Sequence, residues 1–459
     1  MEKLEKYVLI TSFFTTFSAI FLMKSFTLGA PTIANEFLMN NVYQNWMVAI
    51  SSILSCAFTI PAGQICSKYG CKKLFIIGCG LFILGLIMSV ISVSSEMFII
   101  SRAISGMGYG LFFVSETAMI VYAVPEKNQG TAFGVLYVGP YIGLILAPFL
   151  GGYLINNIGW QSVFYLAIPM MIICTLIMLL KVDEEWIDDK DIKIDLIGCI
   201  LFIIGIILFE YGFSDLHSFI SQVASIIGII VLILFGIYES KIELPVFNIN
   251  LFKNKIFAAY NLVGFFEFFA IAIFDVIFSY YFQYAKGWDP QLTGLVLMIP
   301  PILLAIITPN AGKLSDKIHP QKLSTIGLGI FLIPLILLMF IGIDTSLYIV
   351  ISTMVLIAIG TGFFSAPNTN AIMSSVSKKH APYASATQIT MRACGQIFGL
   401  GLFTMICTHF MGNLPFSVEN ANLFINSVHT ISTISILLCI LAIVFAIWGI
   451  KSEKLKKVE

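Results

Sequence analysis

Long apolar segments separated by short polar loops follow one another along the whole chain. A helix that crosses a bilayer needs about 20 mostly apolar residues. Fourteen segments meet that length, at roughly 7–33, 44–66, 73–93, 97–123, 130–153, 161–181, 195–213, 219–238, 256–283, 291–311, 322–342, 347–370, 383–409 and 427–450. None alternates between apolar and polar positions, and all exceed the roughly 10 residues of an outer-membrane β-strand. The pattern predicts an all-α polytopic membrane protein with fourteen transmembrane helices.

The composition agrees with a chain that is surrounded largely by lipid. Of the 459 residues, 58% are hydrophobic and 11% are charged, whereas soluble proteins carry about 25% charged residues. The formal net charge is zero, which argues against a nucleic-acid partner. The nine cysteines lack the spacing of a zinc site, so we expect no metal, no other cofactor and no disulfide framework.

The lysines indicate how the chain is oriented in the membrane. With fourteen helices and the N-terminus inside, the inside segments hold 21 lysines and the outside loops hold one, Lys286. Lysine in short loops is enriched on the cytoplasmic side. We therefore predict that both termini are cytoplasmic.

Two of the predicted cytoplasmic loops carry the same pattern of glycines and basic residues. The first runs from residue 63 to 73 and the second from 312 to 322, so the copies lie 249 positions apart without a gap. The defining residues are Gly63, Lys68, Gly70, Lys72 and Lys73 in the first copy, and Gly312, Asp316, Lys317 and Lys322 in the second. A membrane protein with such a repeat in its two halves is typical of a duplicated transporter.

The repeated loop resembles the loop between the second and third helices of major facilitator superfamily transporters, in which an acidic residue takes part in gating. The second copy has that acid as Asp316, whereas the first has Ser67. Further stretches are similar to elements of this family and of its fourteen-helix drug:proton antiporter branch. They are Arg102 to Gly110 in the fourth segment, Gly134 to Gly143 in the fifth, and Ala366 to Asn368 followed by Arg392 in the twelfth and thirteenth.

The resemblance implies the major facilitator fold, in which two six-helix bundles are related by pseudo-symmetry. The N-terminal bundle is then residues 1–182 and the C-terminal bundle is residues 241–450. Between them we place an acidic cytoplasmic linker, 183–194, and two inserted transmembrane helices, 195–240. A basic cytoplasmic tail, 451–459, follows. We expect a solvated linker, and the implied fold leads us to expect a monomeric protein in the plasma membrane.

Ionisable residues inside the predicted helices are candidates for function, because a charge near the bilayer centre costs about 2.5–3.5 kcal/mol. Those considered are Lys24, Arg102, Glu116, Glu267, Asp275 and Arg392. By the family resemblance, all but Arg392 fall on helices that line the central cavity. Glu267 lies near the midplane without an evident counter-charge, so we expect it to exchange protons, and Glu116 is the second candidate. For either carboxyl, hydrogen bonding with only a packing role is the alternative.

The remaining charges have two readings each. Lys24 and Asp275 both fall in the outer half of the membrane and can pair across the cavity, either as a structural ion pair or in coupling. Arg102 matches an arginine that the resemblance implicates in proton coupling, and the alternative is an arginine that snorkels to the outer interface. Arg392 matches a pattern of the antiporter branch, and its alternative is a structural role.

The fifth segment carries a stripe of small residues. Gly134, Gly139 and Gly143 recur at about one helical turn and permit close approach of another helix, and Pro140 bends the segment. Tight helix packing alone accounts for such a stripe. The resemblance to an antiporter element implies instead that this surface controls closure between the two halves.

These features predict a secondary transporter that exports small amphipathic compounds in exchange for protons. The alternative is a proton-coupled transporter of one specific anionic metabolite or siderophore, because Lys24 disfavours cations and, with Arg102, favours anions. The sequence contains no P-loop, no H-E-x-x-H and no serine–histidine–aspartate arrangement on the cavity helices, so we expect neither an enzyme nor an ATP-driven pump.

Overall fold

The computed structural model describes residues 3–39, 41–188, 190, 194–214, 219–242, 245–288, 290–412 and 419–456. These residues form sixteen α-helices with short 3-10 and π segments, and they contain no strand. The helices are α1 (Lys3–Glu36), α2 (Asn41–Tyr69), α3 (Cys71–Val90), α4 (Ser95–Ala123), α5 (Gln129–Leu146), α6 (Gly152–Asn157), α7 (Gln161–Lys181), α8 (Leu196–Ser214), α9 (Phe219–Glu239), α10 (Lys255–Tyr280), α11 (Pro290–Leu297), α12 (Ile299–Ser315), α13 (Pro320–Leu338), α14 (Leu347–Ser374), α15 (Ala381–Met411) and α16 (Ala421–Lys456).

The helices confirm the predicted all-α polytopic fold. Within the described residues, 13 helical stretches are long and apolar enough to cross a membrane. A shorter apolar stretch, Leu196–Phe209, lies where the seventh helix is predicted. Two predicted helices are interrupted: a π segment, Ala147–Gly151, separates α5 from α6, and Met298 separates α11 from α12.

The predicted loop from 63 to 73 is mostly helical, which corrects the sequence analysis. Helix α2 continues through Tyr69 and α3 begins at Cys71, so Gly70 alone connects them. Gly70 has a φ of 106°, which glycine adopts without steric cost. In the second copy, α12 ends at Ser315 and four residues, 316–319, lead to α13. Most of the glycines and lysines that indicated a loop lie instead within α2, α3, α12 and α13, whereas Gly70 and Lys317 lie between helices.

The expectation of no disulfide is wrong at one pair. Cys66 and Cys71 are bonded, and their Cα atoms lie 4.5 Å apart. Their separation of five residues gave no signal because the pairing depends on the sharp reversal at Gly70. That reversal places the start of α3 beside the last turn of α2.

The helices form two compact units. The first consists of Met1–Leu251 with Val376–Thr390, and the second of Phe252–Ser375 with Met391–Glu459. In the first unit, α4 packs against α2 and α3, α1 packs against α5 and α7, and α8 packs against α9 and α2. In the second, α14 packs against α12 and α13, and α10 and α13 pack against α16.

The same close helix contact occurs in both units at the repeat offset. A Cβ on Gly78 of α3 would lie 2.6 Å from the Phe112 nitrogen of α4, so only glycine permits this approach. Gly327 of α13 follows Gly78 by 249 positions and likewise allows no Cβ, which would lie 2.8 Å from the Gly360 oxygen of α14. Small residues at such positions let backbones touch. The repeat seen in the loops therefore extends to the packing of the helices.

The acidic linker is docked where it is described, which corrects the expectation of a solvated segment. The Glu185 carboxylate accepts a hydrogen bond from the backbone N–H of Lys72, at the start of α3, over 2.9 Å. The Cys71 N–H donates to the Trp186 oxygen at 3.1 Å, and the Asp188 N–H donates to the Ser67 oxygen at 3.0 Å. Composition alone did not reveal these contacts, because backbone groups make most of them. Linker residues 189 and 191–193 lie outside the described part.

Docking removes water from the two linker carboxylates. Burial raises the pKa of Glu185 above its usual value, and the N–H groups of Lys73 and Lys72 oppose that rise. Burial also raises the pKa of Asp188, and the hydroxyls of Tyr122 and Ser67 oppose it. The linker therefore loses part of the hydration of two acidic groups, and these hydrogen bonds offset that cost.

The C-terminal boundary also differs from the prediction. Helix α16 continues to Lys456, so the predicted tail, 451–459, begins as helix. Residues 457–459 of that tail lie outside the described part.

Gly139→Ala should destabilise the protein, because the α5 glycine stripe faces α1 inside the first unit. A Cβ on Gly139 would overlap the Phe13 oxygen and lie 2.7 Å from the Thr16 hydroxyl. We expect a loss of about 1–3 kcal/mol and a lower melting temperature of the purified protein in detergent. Gly152→Ala is the control, since no described residue has an atom within 4 Å of a Cβ there. Equal melting temperatures for the two variants would contradict this packing.

Candidate functional site

Each unit buries a carboxylate and an arginine within its apolar helices. In the first unit, Glu116 and Arg102 of α4 are 0% and 4% exposed. In the second, Glu267 of α10 and Arg392 of α15 are 1% and 7% exposed. Groups of this kind are expensive to bury in apolar surroundings and mark functional sites in membrane proteins.

Glu267 lies in a polar patch between α10, α14 and α15. The positive charge of Arg392 and the hydroxyl of Thr361 are the polar groups that act on its carboxylate. Neither carboxylate oxygen makes a hydrogen bond of ordinary geometry to a described residue. The expectation that Glu267 lacks a counter-charge is therefore wrong, because α15 brings Arg392 to it from more than a hundred residues away in sequence.

Arg392 is held by α14 and by an aromatic ring. Its Nη2 donates to the Thr369 hydroxyl at 3.0 Å and, more weakly, to the Ser365 oxygen at 3.5 Å. Its guanidinium also lies 4.9 Å from the centroid of the Phe268 ring, a distance typical of a cation–π contact. Arg392 thus lies between hydroxyl groups of α14 and the carboxylate of α10.

Close backbone packing fixes this arrangement. A Cβ on Gly395 or Gly399 would overlap the backbone oxygens of Phe265 or Phe269, so α15 runs directly against α10. On the other side of α10, a Cβ on Gly264 would lie 3.4 Å from Nδ2 of Asn368. Helix α15 therefore packs closely against α10, and α14 meets α10 through the Asn368 side chain.

Two amides extend the patch. Asn368 is fully buried, and neither its Nδ2 nor its Oδ1 has a hydrogen-bond partner among the described residues. Asn261 donates to the Phe257 oxygen at 2.8 Å, but its own Oδ1 is buried without a partner. A buried polar atom left unsatisfied costs about 1–3 kcal/mol, and such atoms are normally paired with water or a ligand. The patch can therefore hold a proton, water or polar groups of a small molecule.

Sequence reasoning did not find Asn261 and Thr361. Asn261, Gly264 and Glu267 recur at three-residue spacing on α10, and Thr361, Ser365 and Asn368 recur at four and three residues on α14. Both spacings place side chains on one face of a helix. A search for polar residues with helical spacing inside the apolar segments would have predicted the patch.

Glu116 has a different environment, wholly inside the first unit. Its Oε2 accepts a hydrogen bond from the Thr15 hydroxyl of α1 at 2.9 Å, and its Oε1 is buried without a partner in the described residues. The thiols of Cys79 in α3 and Cys174 in α7 are its electrostatic neighbours. Glu116 therefore lies among the packed helices of its own bundle.

Arg102 is buried, which is contrary to an arginine that snorkels to the interface. Its guanidinium carbon lies 4.2 Å from the centroid of the Phe26 ring of α1. Its Nε is buried without a hydrogen-bond partner among the described residues. The contact holds the start of α4 against α1.

The two buried patches occupy related places in the repeat. In the first unit the Thr15 hydroxyl of α1 meets Glu116 of α4, and in the second the Thr361 hydroxyl of α14 acts on Glu267 of α10. Both units therefore place polar side chains between corresponding helix pairs. The carboxylate is on α4 in one unit and on α10 in the other.

Lys24 and Asp275 are less buried than these groups. Lys24 is half-buried on α1, and Asp275 is exposed on α10. They belong to different units, so their pairing stays a prediction.

The basic residues of the two repeated turns lie at helix ends. Lys68 stands 5.5 Å from the centroid of the Tyr69 ring in the last turn of α2. Lys72 donates to the Val182 oxygen of the linker. Asp316 follows the last residue of α12. Their gating roles stay predictions.

Comparison with known proteins identifies the family of this chain. The sequence description of the Major Facilitator Superfamily matches residues 12–194 and 260–459. The chain is 26% identical to "Riboflavin transporter RibZ" of Clostridioides difficile, over 82% of each protein. It is also 26% identical to "Multidrug resistance protein Stp" of Mycobacterium tuberculosis, over 81% of this chain and 70% of Stp, and 24% identical to "Drug efflux pump JefA" of the same species, over 83% and 76%.

Solved structures have the same fold. The proton:xylose symporter XylE is 14% identical and aligns over 95% of this chain and 94% of its own with a TM-score of 0.67. The human organic anion transporter MFSD10 is 12% identical and aligns over 95% and 99% with a TM-score of 0.64. Because the family description covers most of the chain and the fold agrees, this multi-pass membrane protein belongs to the major facilitator superfamily.

Proposed function

We propose that the protein exports small amphipathic compounds in exchange for protons, by alternating access of two six-helix bundles. Membership of a family of secondary transporters, and the relatives named for multidrug resistance and drug efflux, support the substrate class. The observation that carries proton coupling is the Glu267 carboxylate, which is buried without a hydrogen-bond partner among the described residues.

Glu267 suits a competition between proton and substrate. An ionised carboxylate in apolar surroundings needs a compensating charge or hydrogen bonds, and a proton or a cationic group of a substrate supplies either. If both bind the same carboxylate, entry of one releases the other. That exclusion is the minimum that antiport requires.

Arg392 limits how strongly the carboxylate holds either partner. Its guanidinium acts on Glu267 and is also held by the Thr369 hydroxyl at 3.0 Å. We infer that a shift of Arg392 toward Glu267 favours the ionised carboxylate, and that a shift toward α14 favours the protonated one. Movement of Arg392 would thus link a shift of the helices to the proton affinity of Glu267, and no other titrating group is needed.

We further propose that α8 and α9 stand outside the transport core. The family description leaves residues 195–259 unmatched, a range that includes both helices. This gap supports the division into an N-terminal bundle at 1–182, a C-terminal bundle at 241–450 and an insertion at 195–240. With the lysine distribution, that arrangement supports our proposal that both termini are cytoplasmic.

A second candidate is transport of one specific metabolite. The relative named as a riboflavin transporter matches over 82% of its own length, whereas Stp and JefA match over 70% and 76%. The unpartnered amide of Asn368 suits the ring edge of an uncharged compound that both donates and accepts hydrogen bonds. An anionic metabolite would instead depend on Lys24 and Arg102.

Glu267→Gln should abolish proton-driven transport, because the amide keeps the shape of the side chain but cannot exchange a proton. Proteoliposomes with an imposed proton gradient would be assayed for accumulation of ethidium, a cationic dye. We expect wild-type accumulation to fall to the level of protein-free liposomes. Glu126→Gln, at an exposed position, is the matched control and should transport normally. Gradient-driven transport by Glu267→Gln at the wild-type rate would refute the coupling role.

Asn368→Leu separates the two candidate functions. If the protein carries riboflavin, loss of the amide should lower riboflavin transport by roughly tenfold while the melting temperature stays near that of the wild type. Asn426→Leu is the control, since Asn426 is exposed on α16. Ethidium transport with no riboflavin transport by the wild type would exclude the second candidate. Transport of neither would direct the search to anions and make Lys24→Ala the next variant.

A further inference from the structure

The docked linker brings an acidic residue to a place where the repeat lacks one. Ser67 in the first copy of the turn corresponds to Asp316 in the second, 249 positions later. In the structure, the Asp188 N–H of the linker donates to the Ser67 oxygen at 3.0 Å. The Ser67 hydroxyl and Oδ2 of Asp188 are both buried without a hydrogen-bond partner among the described residues, and the hydroxyl lowers the pKa of that carboxyl. Position 67 therefore has no carboxylate of its own, but the linker brings the carboxylate of Asp188 beside it.

Three elements of the first unit meet at this carboxylate. The Tyr122 hydroxyl at the end of α4 donates to Oδ1 of Asp188 at 2.7 Å. The charges of His380 and Lys379, just before α15, also act on the carboxylate. The Tyr122 ring is stacked on Trp186 of the linker with centroids 6.2 Å apart. Asp188 thus lies where the α2–α3 turn, α4 and the start of α15 come together.

The start of α15 is held in the first unit by further contacts. The hydroxyls of Thr59 in α2 and Thr390 in α15 lie 2.7 Å apart, and the Ser385 hydroxyl donates to the Val114 oxygen of α4 at 3.0 Å. A Cβ on Gly63 would lie 3.0 Å from the Cβ of Ala386. The Lys378–His380 segment precedes these residues directly. An attraction between this segment and Asp188 therefore helps to hold the N-terminal end of α15 in the first unit.

We propose that Asp188 supplies the carboxylate that the first copy of the turn lacks at position 67, and that this charge holds the α2–α3 turn to the Lys378–His380 segment. Asp188 acts as a positioning residue. The linker is then part of the apparatus that sets the conformation of the first unit, in addition to joining two parts of the chain. This inference does not depend on the identity of the substrate or on proton coupling.

Moving the carboxylate back into the turn tests the proposal. Asp188→Asn removes the charge, Ser67→Asp adds a second one beside it, and the double variant transfers it from the linker to the turn. The measurement is the initial rate of trypsin cleavage after Lys379, which is exposed in the segment that the charge is proposed to hold. Purified full-length protein in lipid nanodiscs, without substrate, is the sample. Asp183→Asn is the control, because Asp183 is an exposed acid of the same linker.

Asp188→Asn should raise the cleavage rate by roughly tenfold through lost attraction, whereas Ser67→Asp, which keeps Asp188, should leave the rate within about twofold of the wild type. The double variant should return to within about twofold of the wild type, and Asp183→Asn should leave the rate unchanged. A double variant cleaved as fast as Asp188→Asn would overturn the proposal, since the contact would then need the Asp188 side chain itself. A wild-type cleavage rate in Asp188→Asn would overturn it as well.

A second pair of changes keeps the test decisive if Asp188→Asn does not fold. Lys379 is exposed and His380 is half-buried, so Lys379→Gln with His380→Asn removes the opposing charges at little structural cost. We expect this variant to raise cleavage after Lys378, the exposed lysine that remains in this segment, by roughly threefold. An unchanged rate would show that the two basic side chains do not hold the linker, and the proposal would fail.

Discussion

The cost of placing charge among apolar helices is the constraint on which the rest of the structure depends. The chain has few such charges, and it brings carboxylate and arginine together only where close helix packing permits. In the second unit, Gly395 and Gly399 let α15 run against α10, and that approach carries Arg392 to Glu267. In the first unit, Glu116 is supported by the Thr15 hydroxyl instead. A charged site with fewer partners responds more strongly to a proton or ligand, which is the property that coupled transport uses.

The internal repeat explains why the units are alike in packing and different in chemistry. Gly78 and Gly327 occupy matching positions and make the same backbone contact. Ser67 and Asp316 also match, but only one is acidic. Packing positions tolerate almost no change because even a Cβ overlaps the neighbouring helix. A charge at a helix end can instead move to another segment, provided that it arrives at the same place, and the docked linker brings Asp188 to that place.

The apolar pattern predicted the helices well and the polar contacts poorly. Runs of about 20 apolar residues are a strong local signal, so the predicted and observed spans agree closely. The turn at Gly70 was predicted as a longer loop because glycine and lysine also end helices. The partner of Glu267 could not be predicted, since Arg392 comes from a segment distant in sequence. Asn261 and Thr361 could have been predicted from the helical spacing of polar residues. The docking of Glu185 could not, because it depends on backbone N–H groups, which the pattern of side chains does not reveal.

Proton release on substrate binding tests the central claim most directly. Purified protein in weakly buffered detergent solution would be titrated with ethidium while a pH-indicator dye reports protons released. The account predicts about one proton released for each ethidium bound by the wild type, and none by Glu267→Gln. Ethidium binding by the wild type without proton release would contradict the claim that proton and substrate compete for this carboxylate.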